Sequence, residues 1–65
     1  MFANLRAEMA RYNLTPKQIC DAANISYDTY KNKMSGETEF KLDEMLAIRG
    51  LFNGLTLDYL FTEES

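Results

Sequence analysis

The sequence predicts an all-α fold: a compact bundle of about five short helices in one domain, residues 1–61, followed by a polar tail, 62–65. The prediction rests on three observations. Apolar residues recur at helical spacing in separate segments, helix-capping residues stand at the joins, and no segment alternates apolar and polar residues as a half-buried strand does.

The first helix is read from Phe2, Leu5, Met9 and Tyr12, which form one apolar stripe that Asn13 ends. A second begins at Thr15-Pro16-Lys17-Gln18: a Thr N-cap, Pro in the first turn where its missing N–H costs nothing, and Gln three residues after the cap. It runs to about Ala23, because Asn24 accepts a left-handed backbone and Ser26 is a fresh N-cap. The third helix covers about Tyr27 to Met34 and stops at Ser35-Gly36. Residues 37–41 form a charged loop anchored by Phe40. A fourth helix follows, with Leu42, Met45, Leu46, Ile48, Leu51 and Phe52 inward or nearly so, weakened at Gly50 and ended by Asn53-Gly54. Thr56 caps a last short helix, Leu57 to Phe61.

Composition narrows the function classes. At 65 residues with 46% apolar and 26% charged side chains, the chain is an ordinary globular domain with a small core. No run reaches the roughly 18 apolar residues of a membrane span, and Arg6, Glu8 and Arg11 interrupt any signal-peptide core, so a cytoplasmic protein is expected. Cys20 is the sole cysteine, read as a small buried apolar residue. Histidine is absent, which removes the usual general base, the nucleophilic triads and most zinc sites. Glu37, Glu39, Glu63 and Glu64 are read as solvated acids. No catalytic residue, metal or cofactor is expected.

The net charge of −3 argues against nucleic acid until it is divided along the chain. Residues 1–41 carry six basic and five acidic side chains, whereas residues 42–65 carry Arg49 against Asp43, Glu44, Asp58, Glu63 and Glu64. The acidity is concentrated behind the segment "NISYDTYKNKMSGE".

The caps at Thr15 and Ser26, with Ile25 pinned between, describe a helix-turn-helix. From "NLRAEMARYNLTPKQICDAANIS" through "TYKNKMSG" and "FKLDEMLAI" to "LDYLF", the chain resembles the lambda-repressor-like, Cro/CI-type helix-turn-helix DNA-binding domains of phages and bacteria. That resemblance implies a sequence-specific regulator of transcription that occupies a double-stranded operator, with the third helix in the major groove. On this chain the outward face of the third helix presents Ser26, Tyr27, Asp28, Lys31 and Asn32, with Thr29 at its edge and Tyr30 inward.

Base chemistry gives these residues roles: Asn32 for adenine, Lys31 for guanine, Asp28 for a cytosine amino group and Tyr27 for a thymine methyl or a phosphate. Thr15, Lys17, Lys33 and the amides around Ser35 and Gly36 are the phosphate candidates, with Lys41 and Arg11 behind them. A homodimer, at least on DNA, is expected on a two-fold site; Leu57, Tyr59, Leu60 and Phe61 are its candidate contact, with Leu57, Leu60 and Phe61 expected in the core ahead of that role.

The chain departs from the pattern at Pro16, where many members carry Gln, and at Met9 and Met34, where several carry a buried Arg-Glu pair. The methionines are expected to meet in the core, since replacing both charges together leaves neither stranded. Lys33 stands where relatives are apolar, so its stem is expected on the core and its ammonium on a phosphate or on Glu44. The length resembles a Cro-like protein or a small stand-alone regulator. The alternative function is a phage modulator or anti-repressor that keeps the fold and binds another regulator protein.

Overall fold

A computed structural model describes residues 1–63, so the last two positions of the expected tail lie outside the described residues. Among the described residues there are five helices and no strand: α1 (Ala3–Arg11), α2 (Pro16–Ala23), α3 (Tyr27–Ser35), α4 (Leu42–Arg49) and α5 (Leu57–Leu60). None is long and apolar enough to cross a membrane.

The first three helices end in one way. Asn13, Asn24 and Gly36 each take a left-handed conformation, at φ 59°, 58° and 89°. The next residue's N–H then reaches back to a carbonyl of the last turn: Leu14 to Met9 at 2.8 Å, Ile25 to Cys20 at 3.0 Å, Glu37 to Asn32 at 2.9 Å. This closure uses carbonyls that a helix end would leave unpaired, and Asn and Gly are the residues that reach it cheaply. Starts are equally local. The Thr15 hydroxyl accepts from the Gln18 N–H at 3.3 Å while the Gln18 carboxamide oxygen accepts from the Thr15 N–H at 2.8 Å, a complete capping box. Ser26 and Thr56 cap α3 and α5 through the N–H groups of Thr29 and Tyr59.

The core gathers Leu5, Met9, Ile19, Cys20, Tyr30, Met34, Phe40, Ile48, Phe52 and Leu60. Helix α2 packs on α3 and α4, and α5 closes against α1 and α4. Helices α1 and α3 meet through side chains, where the Tyr30 hydroxyl lies 3.9 Å from the Met9 sulfur. Met9 and Met34 are both buried. Phe2 takes φ 61°, a left-handed backbone that is rare for a bulky residue. Its ring is thereby turned into an edge-to-face cluster with Phe40 and Phe61, at centroid distances of 5.5 and 5.9 Å.

Two sequence expectations are corrected. Helix α4 stops at Arg49, with Gly50 as its C-cap, rather than running on to Asn53; glycine is a poor helix former, and the chain turns there. Leu42 and Leu46 point outward, 60% and 44% exposed, because Ile48 and Phe52 supply the buried stripe with half-buried Met45 packed against the core. At the C-terminal end Leu60 is fully buried and Phe61 packs on Phe2 and Phe40, as expected of core residues, which leaves Tyr59, 38% exposed, as the large exposed apolar member of the candidate contact.

Candidate nucleic-acid interface

Helix α3 has two faces of different chemistry. Tyr30, Lys33 and Met34 are buried, whereas Tyr27, Asp28, Lys31 and Asn32 are exposed. Residues 27 and 31, and likewise 28 and 32, are one turn apart and so form two adjacent outward rows.

The outward residues are held unequally. The Tyr27 ring, 57% exposed, stacks on Tyr30 with centroids 5.9 Å apart and planes inclined by 25°. The Lys31 ammonium lies 5.7 Å from the centre of the Tyr27 ring. Neither Lys31 nor Asp28 forms an ion pair among the described residues. Ser26 is exposed, but its hydroxyl donates to the Thr29 hydroxyl at 2.9 Å and accepts from the Thr29 N–H at 3.2 Å. Ser26 and half-buried Thr29 therefore build the start of α3, leaving Tyr27, Asp28, Lys31 and Asn32 as the groups free to reach a base edge.

The phosphate candidates divide more sharply. Lys33 is 6% exposed, with its ammonium 3.1 Å from the Glu44 carboxylate, 2.8 Å from the Glu39 carbonyl and 5.8 Å from the Phe40 ring centre. It is withdrawn from the phosphate set, because reaching a phosphate would strand Glu44. Gly36 is corrected too: its N–H donates to the Lys33 carbonyl at 3.2 Å and the next two amides donate to Asn32, so no donor there points outward. The Ser35 hydroxyl likewise donates to the Asn32 carbonyl at 3.0 Å, and Thr15 is committed to Gln18. Lys17 pairs with Asp21 at 3.0 Å, but both ends are widely exposed, and such pairs exchange readily for another anion. Lys41 is exposed and carries no ion pair among the described residues. Arg11 lies 3.4 Å from Glu8.

Glu44 couples this surface to the core. Burial acts to raise its carboxyl pKa, but the Lys41 N–H and the Lys33 ammonium outweigh burial, and the net shift is downward. Burial pushes the Cys20 thiol upward, away from the reactive thiolate.

Sequence reasoning missed Glu8. It is 4% exposed and accepts a hydrogen bond from the Tyr59 hydroxyl at 2.8 Å, tying α1 to α5. A signal was present, since Glu8 stands three residues after Leu5 and four before Tyr12, on the apolar stripe itself.

Among the described residues, no cluster of histidine, cysteine or acidic side chains is arranged to hold a metal ion. Comparison of the chain with protein-family models, with curated proteins and with solved structures returned no match. The fold defines the class: a small all-α domain of five helices.

Proposed function

We propose that this protein is a sequence-specific, double-stranded-DNA-binding regulator of transcription that acts in the cytoplasm without catalysis or cofactor. The α2–α3 pair serves as a helix-turn-helix, and α3 enters the major groove. The observation that carries this reading is the division of α3: its inner face is locked into the core while Tyr27, Asp28, Lys31 and Asn32 face outward together. Between them they present the donors, acceptors and apolar ring that base edges require. Lys17 and Lys41 contact phosphates and set the register. One copy presents too little surface for tight selectivity, so two copies occupy half-sites about one helical turn apart.

The test is a titration of labelled duplex DNA of random sequence at two salt concentrations. With about two phosphate contacts per copy, from Lys17 and Lys41, each contributing about −0.9 to the log-log slope, binding is expected at low salt with a shallow salt dependence. Absence of retention at low salt, where electrostatic attraction is strongest, would overturn the reading.

A second reading is favoured by Leu42 and Leu46, exposed one turn apart on α4. There the domain docks another regulator protein. Substituting both by Ser distinguishes the two, because it removes that surface and leaves α3 unchanged.

A further inference from the structure

Tyr27 is more constrained than an exposed aromatic side chain needs to be. One face of its ring rests on Tyr30, which is buried and whose hydroxyl reaches the Met9 sulfur in the core. The Lys31 ammonium also lies against the ring, 5.7 Å from its centre, although Asp28 stands on the same helix one turn back. A lysine ammonium is a point charge on a flexible four-carbon stem. Attraction to the ring quadrupole narrows the positions its ammonium occupies.

We infer that Tyr27 is the positioning residue for Lys31, and that the two act as one reading unit which selects a guanine with a thymine in the adjacent base pair. The inference rests on the DNA-binding reading above and names part of its target. Residues 27 and 31 are about 6 Å apart along the helix axis. A ring and an ammonium held in contact therefore reach no further than neighbouring base pairs. The ammonium donates to guanine O6 and N7, and the ring supplies apolar contact to the thymine C5 methyl. Asp28, on the adjacent row, accepts only and so favours the amino group of the cytosine paired with that guanine or of the adenine paired with that thymine.

The test uses the full chain and the sequence it selects from a random duplex pool. Replacing the thymine of that sequence by uracil removes a single methyl group. The wild type is expected to weaken about fourfold, the worth of one buried methyl, and Y27A is expected not to respond. Y27A should also lose discrimination at the guanine, from about tenfold to near none, while its salt slope is unchanged because Lys31 stays charged. Y27F keeps the ring and should retain both preferences. Circular dichroism of Y27A checks that the helices persist.

Uracil without effect on the wild type, or Y27A retaining its preference for guanine, overturns the inference and leaves DNA binding standing. Equal weakening by Y27A on every sequence overturns it too, since that is the signature of a merely structural ring. A wild type that binds no DNA at low salt overturns both this inference and the function it rests on.

Discussion

The Lys33 ammonium lies 3.1 Å from the Glu44 carboxylate, and the two side chains are only 8% and 11% exposed. The pair ties α3 to the start of α4, and the same Glu44 oxygen accepts the Lys41 N–H at 2.9 Å. A lysine in the middle of the proposed reading helix is therefore an internal strut. Removing one partner leaves a poorly hydrated charge, so K33M is expected to destabilise the fold by about 1 to 3 kcal/mol. In DNA titrations of the folded variant the salt slope should match the wild type, whereas loss of a phosphate contact would reduce it by about 0.9.

Glu44 also makes stability depend on acid. Its folded pKa is lowered from the ordinary value of 4.5. Above 4.5 the carboxyl is ionised in both states and its contribution is fully present. As pH falls below 4.5 the unfolded chain takes up the proton first, and the contribution is lost as pH passes through the folded value. The stability difference between wild type and E44Q, from urea midpoints, should be constant between pH 6 and 8 and shrink toward pH 3. A difference that stays constant throughout would contradict the pairing.

At the alkaline end, two tyrosines ionise late for different reasons. Burial raises the Tyr30 hydroxyl, and the hydrogen bond to the Glu8 carboxylate, ahead of partial desolvation, raises that of Tyr59. In an absorbance titration of tyrosinate, E8Q is expected to move the Tyr59 step down and leave the Tyr30 step in place. For Tyr59 the stabilising bond is present below the ordinary value of 10 and lost as pH rises through the folded value. Stability of the wild type should therefore fall more steeply than that of Y59F above that pH.

The helix ends are sensitive to backbone conformation. Thr15→Ala removes the capping hydroxyl of α2 and should cost about 1 kcal/mol in thermal unfolding. Asn24→Ala forces a Cβ without a compensating polar group into the left-handed region and should cost about 1 to 2 kcal/mol. Asn24→Gly should be close to neutral, because glycine takes that conformation freely.

Those ends were also the most legible part of the sequence. Thr15, Pro16 and Gln18 spell out a capping box, and Asn24, Ser26 and Gly36 mark the boundaries of α2 and α3, because caps act within a few residues and need no tertiary context. Helix α4 was less legible. Leu42 and Leu46 and the set Met45, Ile48 and Phe52 are each spaced as one helical face, and only packing against α2 and α5 decides which is buried. At the candidate interface, Tyr27, Asp28, Lys31 and Asn32 were expected outward from the helix-turn-helix resemblance, and all four are exposed. The engagement of Lys33 with Glu44, of Gly36 with Lys33, and of Glu8 with Tyr59 depends on contacts that the order of residues does not state.

The central claim is that the outward face of α3 reads DNA sequence. Its most direct test is selection of duplexes from a random pool by the wild type and by K31A/N32A, with circular dichroism to check that both are folded. The wild type should enrich one short sequence in two inverted copies about 10 base pairs apart, and the double variant should enrich none. Enrichment of the same sequence by both proteins, or of no sequence by the wild type, would contradict the account.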